Sequence, residues 1–323
     1  MKHRRFGKTE WSVSEVGYGM WGMASWTGSD DEQSFASLQL SVDNGCNFFD
    51  TAWAYGAGHS ERLLGRLIRS NPDRKLFVAT KIPPKNQGWP ALPEYTLDDC
   101  YPPDHIEEYV RKSLENLGVE KIDLIQLHTW NEDWFSDDRW LRKLEDLKSR
   151  DLIGAIGLSL NRWEPWTGLT AVRSGIIDAV QVIYNIFDQS PEDELFPACL
   201  ENDVAVIARV PFDEGSLTGT LTAESNWPEG DYRNKYFGPE NLGETLKRID
   251  ELRNDLPSDM QMSELALRFI LANPVVSTVI PGMRNPRNVA QNIESASKGS
   301  LDDVTLASMK RHKWVRKPKP WSA

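Results

Sequence analysis

What most constrains the fold of this chain is a repeat of kind, not of letters. Eight short apolar runs, each followed by a stretch with helical spacing, fill nearly all of the 323 residues. The runs predict strands at Glu15–Met20, Cys46–Phe49, Lys75–Thr80, Ile122–Leu127, Gly154–Ser159, Asp178–Ile183, Val204–Arg209 and Val275–Ile280. Helices are expected at Asp31–Asn44, Glu61–Ser70, Asp104–Leu117, Arg139–Ser149, Pro165–Ser174, Glu192–Asn202, Glu240–Asn254, Ser263–Ala272, Pro286–Ala296 and Asp302–His312. Ser29 or Asp30 would cap the first helix and Gly45 would end it. Runs such as Ile-Asp-Leu-Ile-Gln-Leu (122–127) are largely apolar, as parallel strands buried on both faces should be. Eight β/α units without a break in composition predict a single (β/α)8 TIM barrel over residues 1–323. Two doubly wound domains would need a linker, and none stands out. A hairpin around Gly7-Lys8 (3–14) precedes the barrel. The stretches 82–103 and 210–239 lack periodicity and are expected to be long rim loops that close over a site.

The formal charge of −11 argues against non-specific nucleic-acid binding and against anionic membrane surfaces. The basic start, Met1-Lys2-His3-Arg4-Arg5, leads into no apolar run, so no signal peptide is expected. No stretch is long and apolar enough to span a bilayer. Cys46, Cys100 and Cys199 lie far apart and form no C-x-x-C, which fits reduced thiols in a cytoplasmic protein. No metal is expected, because H-x-H, H-E-x-x-H and acidic clusters with ligand spacing are all missing from the sequence.

In such a barrel the chemistry sits at the carboxyl ends of the strands. Those ends supply Asp50, Lys81, His128, Ser159, Gln181 and Arg209, with Tyr55 one loop away. Each has an ordinary structural role open to it. Asp50 could form a turn, Tyr55 could pack, Lys81 could be a solvated strand end and His128 could be structural. Together they suit protonation of a carbonyl oxygen. A phenol with a pKa of about 10 is protonated at neutral pH and can donate. A nearby ammonium lowers that pKa toward the working range. Asp50 would hold the ammonium, and His128 could orient the carbonyl.

The stretch Gly45-Cys-Asn-Phe-Phe-Asp-Thr-Ala-Trp-Ala-Tyr-Gly-Ala-Gly-His-Ser-Glu61 resembles the signature of the aldo-keto reductase superfamily. Ile122–His128 and Gly154–Ser159 resemble its fourth and fifth strands. The resemblance covers nearly the whole chain. It implies Asp50, Tyr55, Lys81 and His128 as a catalytic tetrad, and hydride transfer from a nicotinamide, usually NADPH, to an aldehyde or ketone.

Gly17-Tyr-Gly-Met-Trp-Gly22 fits G-x-G-x-x-G, but Met23 to Asp30 do not open a helix, so it is no dinucleotide fingerprint. In the resembled family Gly19, Met20 and Trp21 back the cofactor and substrate pocket. Ser159 and Asn161 would meet the carboxamide beside Gln181, although Leu160 holds the usual Asn place. Arg209, followed by Pro211, stands where many members stack an aromatic on the nicotinamide; a guanidinium plane can also stack. Residues 280–292 run from the last strand into a helix, whose N-terminus suits phosphate. There Arg284 and Arg287 add cations in an acidic chain. The family places its adenosine 2′-phosphate contacts in this stretch, which carries Gly282, Met283 and Asn288, with Gln291 and Asn292 toward the adenine. NADPH is favoured over NADH.

Trp21, Trp53, Trp89 and Trp130, with Trp134, fall in or beside rim loops and would wall a pocket for sugar or aromatic carbonyls. Packing between loops and barrel is their other reading. Two competing functions remain: a nicotinamide-binding redox-sensing or regulatory protein with little turnover, and a (β/α)8 hydrolase or lyase. The latter would need a metal site or paired catalytic carboxylates.

Overall fold

A computed structural model describes residues 1–23 and 29–319. A two-stranded antiparallel hairpin, β1 (His3–Phe6) and β2 (Trp11–Ser14), comes first. Eight parallel strands follow, in the same order in space as in sequence: β3 (Tyr18–Gly19), β4 (Phe48–Asp50), β5 (Phe77–Ile82), β6 (Ile122–Leu127), β7 (Ile153–Ser159), β8 (Ala179–Ile183), β9 (Ala205–Arg209) and β10 (Val276–Val279). The helices between and after them are α1 (Asp31–Asp43), α2 (His59–Ser70), α3 (Leu97–Cys100), α4 (Pro103–Leu117), α5 (Arg139–Ser149), α6 (Leu169–Arg173), α7 (Leu195–Glu201), α8 (Tyr232–Tyr236), α9 (Leu242–Asn254), α10 (Met262–Ala272), α11 (Pro286–Ser297) and α12 (Asp303–Lys310).

The barrel closes between its first and last strands. Gly17 N–H donates to Val279 O at 2.8 Å, and Val279 N–H donates to Glu15 O at 3.0 Å. A Cβ on Gly19 would lie 2.6 Å from Ile280 O, so this seam admits only glycine there. The hairpin plugs the opposite end, where Phe6 and Val13 pack against Phe48, Phe77, Leu124 and Ile207. A second, larger core fills the space between sheet and helices. Among the described residues no helix is long and apolar enough to cross a membrane.

Several elements differ from expectation for identifiable reasons. The strand expected at Cys46–Phe49 runs from Phe48 to Asp50. The Asn47 side chain is occupied with the hairpin, accepting from Ser14 N–H (2.7 Å) and donating to Ser12 O (3.0 Å). The next strand also moves, to Phe77–Ile82, which puts Lys81 within the strand. The helix expected from Glu192 begins at Leu195, because Pro197 lacks the N–H an earlier start would need. The segment 165–174 opens as a 3₁₀ turn before α6. Asp30 is the cap of α1, accepting from Gln33 N–H at 2.7 Å. Trp21–Met23 form a 3₁₀ turn. The rest of the expected non-helical stretch after Gly22 lies partly outside the described residues.

Candidate active site

The rim at the carboxyl ends of the strands is built around one buried ion pair. Lys81 Nζ donates to Asp50 Oδ1 at 2.5 Å and to Thr51 O at 2.8 Å, and both charged side chains are almost wholly buried. Asp50 Oδ2 accepts from Gln181 Nε2 at 2.7 Å and from Gln126 Nε2 at 3.2 Å. The carboxylate is thus held from three other strands, β5, β6 and β8. A buried charge is tolerated only when paired and hydrogen-bonded in this way. Gln126 did not figure in the sequence-based set. Its signal was present, as the second polar residue in an otherwise apolar strand.

The loop that carries Tyr55 is short and over-determined. Tyr55 N–H donates to Ala52 O (3.1 Å), and Ser60 N–H donates to Tyr55 O (3.2 Å). Gly58 sits at φ +84°, and a Cβ there would come within 2.2 Å of the Asn116 amide. That amide donates to Glu61 Oε2 at 2.8 Å, while Thr80 Oγ1 donates to Glu61 Oε1 at 2.7 Å. Glu61 therefore ties the start of α2 to the strand bearing Lys81. Burial raises its pKa, against the hydrogen bonds from Thr80 and Asn116.

The Lys81 ammonium lies 5.2 Å from the Tyr55 ring centroid. Burial raises the Tyr55 pKa above its ordinary 10, while the Lys81 and Arg209 charges oppose the rise. The direction of the Lys81 effect is the expected one. The net direction is not, because desolvation of the phenolate outweighs the cations in this arrangement. The Tyr55 and His128 rings meet edge to face, 5.6 Å between centroids. Burial, then Lys81 and Arg209, hold the His128 pKa well below 6.5, so its imidazole is neutral at physiological pH. His128 Nδ1 is buried with no partner.

A second set of charges lies at the end of β9 and in the stretches after β7 and β9. Arg209, at the end of β9, donates from Nη2 to Leu160 O at 2.9 Å, and its Nε is buried without a partner. Arg162 pairs with Glu214, while its own Nη1 is buried and unpartnered. The Arg162 guanidinium carbon also lies 5.8 Å from the Tyr232 ring centroid, and Tyr232 meets Trp21 edge to face at 6.1 Å. Sequence reasoning missed Arg162, Glu214 and Tyr232. Arg162 follows β7, while Glu214 and Tyr232 lie in the long stretch after β9, Tyr232 at the start of α8, and no local pattern marks them as neighbours.

Asn161 departs from its expected role. Its Oδ1 accepts from Thr129 Oγ1 (2.7 Å) and Ala91 N–H (3.1 Å), and its Nδ2 donates to Ala91 O and Glu164 Oε2 (both 3.0 Å). An Asn amide offers two lone pairs and two N–H groups, so nothing is left for a carboxamide. Asn161 is a fastener for the stretch 82–103. That stretch is pinned further by Trp134 Nε1 to Tyr95 O (2.7 Å) and Asn131 Nδ2 to Leu92 O (3.0 Å). It brings Trp89 to 5.6 Å from the His128 ring. Ser159 is buried at the end of β7, and its backbone pairs in register with Gln181.

The tryptophans divide. Trp21 and Trp89 are 42% and 40% exposed and flank the rim. Trp130 is fully buried; its Nε1 donates to Thr167 O at 2.9 Å, and its ring abuts Trp134 and Trp140. It packs loop on barrel and does not wall a pocket. Trp53 is partly buried and lies edge-on to Tyr109 of α4, at 4.7 Å.

The seam between β3 and β10 and the start of α11 hold several of the residues expected to face the cofactor. Gly19 bridges to Gly282, Met20 and Met283 are buried, and Pro211 is the second residue of the loop after β9. Asn285 caps α11 by accepting from Arg287 N–H at 2.9 Å, and the first turn holds no acid. Among the described residues Arg284 Nη1 is buried with no partner, while Arg287, Asn288 and Gln291 are exposed and Asn292 is buried. A helix N-terminus free of acids, beside an arginine N–H lacking an acceptor, fits a phosphate group. The loop after β9 is unusual: Val210, Asp213 and Glu214 all have positive φ (55°, 44° and 56°). Backbone strain of this kind in non-glycine residues gathers at functional sites.

The C-terminal segment locks that loop. Arg316, sandwiched 4.4 Å from Trp163 and 4.5 Å from Trp314, donates to Asp213 Oδ1 at 2.9 Å and to Tyr236 Oη at 2.8 Å, and also pairs with Asp188.

The sequence model of the Aldo/keto reductase family matches residues 15–313. The NADH-specific methylglyoxal reductase of Escherichia coli is 30% identical over 322 residues, covering 95% of this chain and 97% of that protein. The aldo-keto reductase yakc [NADP(+)] of Schizosaccharomyces pombe is 29% identical over 93% of this chain and 88% of its own length. Among solved structures, the holo form of aldo-keto reductase AKR11C1 from Bacillus halodurans superposes with a TM-score of 0.78 at 25% identity, covering 100% of both chains.

Proposed function

This chain belongs to the aldo/keto reductase family, and from that premise we propose that it reduces an aldehyde or ketone to the alcohol with NADPH, Tyr55 acting as the acid. The observation that carries the proposal is the buried Lys81–Asp50 pair, with the Tyr55 ring 5.2 Å above the ammonium and His128 edge-on to that ring. On this reading the chain works as one barrel, with the hairpin at one end and the site at the other.

When bound, a nicotinamide cofactor would supply the hydride for the carbonyl carbon. The protein supplies the proton and the field. Tyr55, whose pKa burial raises, is a protonated phenol at neutral pH and gives its proton to the carbonyl oxygen. The charge that would build on the phenolate is met by Lys81 and Arg209, which favour it electrostatically. Neutral His128 hydrogen-bonds the substrate oxygen without competing as an acid. Asp50, held by Gln126 and Gln181, keeps Lys81 in place. Ser159, with Gln181 beside it, would hold the carboxamide of a bound nicotinamide.

NADPH is favoured over NADH because Arg284 and Arg287 stand at an acid-free helix N-terminus. Relatives are named for either cofactor, so the choice rests on this chain's residues. The test is cofactor oxidation followed by absorbance against a panel of aldehydes, ketones and sugars, with both cofactors. Turnover with a lower KM for NADPH supports the reading. Cofactor binding without turnover of any carbonyl, or a clear preference for NADH, counts against it.

A further inference from the structure

Two buried hydroxyls hold the turn between β10 and α11 from behind. Tyr18 of β3 and Ser37 of α1 are fully buried, with their oxygens 2.9 Å apart. Both reach the Met283 carbonyl oxygen, Tyr18 Oη at 2.6 Å. Each hydroxyl has one proton to give, and a carbonyl has two lone pairs, so this one acceptor can take both. The backbone just before it is also tied down. Gly19 N–H donates to Pro281 O at 3.0 Å, and Gly19 bridges to Gly282. One partner would satisfy the buried Met283 carbonyl; two, from different elements, fix its direction as well.

Arg284 begins where that scaffold ends. A Cβ on Gly22 would lie 3.8 Å from Arg284 Cδ, so the arginine stem runs along the turn Trp21–Met23. Among the described residues its Nη1 is buried with no partner. Asp231 is near enough to feel the Arg284 charge, but its carboxylate oxygens already accept from Arg233 Nε and Nη2 at 3.0 and 2.7 Å. A long side chain loses rotamer entropy when it makes a contact, and an origin fixed in advance leaves less to be lost on binding.

We propose that Tyr18 and Ser37 are positioning residues that set the preference for NADPH over NADH: through the Met283 carbonyl they aim the Arg284 guanidinium at the adenosine 2′-phosphate. The inference rests on the NADPH reading above. NADH lacks that phosphate, so a misaimed Arg284 weakens NADPH and leaves NADH nearly untouched. Loosened packing alone, or an Arg284 that served the pyrophosphate, would weaken the two cofactors alike. Arg287 is the other cation here, but its origin is set by α11 and the Asn285 cap.

The test is the Kd of NADPH and of NADH, by fluorescence titration without substrate. The proteins are the wild type, Tyr18→Phe, Ser37→Ala, the two combined, Arg284→Met, and Tyr18→Phe with Arg284→Met. The Tyr18→Phe/Ser37→Ala protein should lose about tenfold or more of the NADPH preference, the worth of one charge-assisted hydrogen bond, with the Kd of NADH unchanged within about threefold. Arg284→Met should lose as much. Adding Tyr18→Phe to Arg284→Met should change the preference no further, because the tyrosine acts through that arginine. Ser37→Ala alone should lose part of the preference, and it carries the test if Tyr18→Phe fails to fold. Equal weakening of both cofactors, a preference kept without both hydroxyls, or a Tyr18→Phe effect that persists without Arg284 each overturns the inference. A wild type with no preference for NADPH overturns the cofactor choice and this inference with it, a failure visible before any variant is compared. Binding as expected but no turnover of any carbonyl would sink the reductase reading and leave the positioning role standing.

Discussion

Lys81 Nζ and Asp50 Oδ1 lie 2.5 Å apart on adjacent parallel strands, both almost inaccessible to water. The pair sits at the rim, where a stable enzyme could have placed apolar groups. Removing one partner strands the other as a buried charge, which costs about 3–5 kcal/mol. Lys81→Met should therefore lower the urea midpoint strongly as well as abolish turnover. A Lys81→Met variant with wild-type stability would mean that Asp50 is solvated or protonated there.

His128 gives stability a pH dependence with a definite sign. Its folded pKa lies well below 6.5 through burial, Lys81 and Arg209. The unfolded chain binds that proton first, so this contribution is intact above about pH 6.5 and is lost as pH falls toward the folded value. Glu61, raised by burial, works in the opposite sense. Urea unfolding at pH 7.5, 6.5 and 5.5 should show the wild type losing stability more steeply than His128→Gln. Parallel losses would place the imidazole in water.

Asn161 fastens a loop. Asn161→Ala leaves Ala91 and Thr129 without their partners and should cost about 1–3 kcal/mol. Proteolysis within 83–102 should speed up while the Kd for NADPH holds. A rise in that Kd larger than tenfold, with the loop still protected, would restore the carboxamide role.

Arg316 binds the C-terminal segment to two buried acids, Asp188 and Asp213. Arg316→Met should destabilise by about 3–5 kcal/mol. Because Asp213 lies within the strained loop after β9, the KM for cofactor should rise as well. A neutral effect on both would make the contact incidental.

The strand–helix alternation was legible because barrel strands buried on both faces must be apolar, and Ile122–Leu127 appears as expected. Asp50, Tyr55, Lys81 and His128 could be named because one motif and a few strand ends carry them, and the fold brings them to one rim. Strand edges slipped where side chains compete for the backbone, as Asn47 does at the hairpin. Long-range partnerships were beyond a linear reading: Arg162 with Glu214, Arg316 with Asp213, and Asn161 with Ala91 join loops 52 to 103 residues apart. Trp130 misled because a rim-loop tryptophan reads the same whether it walls a pocket or wedges a loop onto the barrel.

The central claim, that Tyr55 is the proton donor to a carbonyl, is tested most directly by Tyr55→Phe. Steady-state reduction of the best carbonyl in the panel should be measured beside NADPH affinity by fluorescence. The account predicts a loss in kcat of about 10²- to 10⁴-fold, the usual worth of a positioned acid, with the NADPH Kd unchanged within about threefold. A Tyr55→Phe variant that keeps wild-type kcat would contradict it.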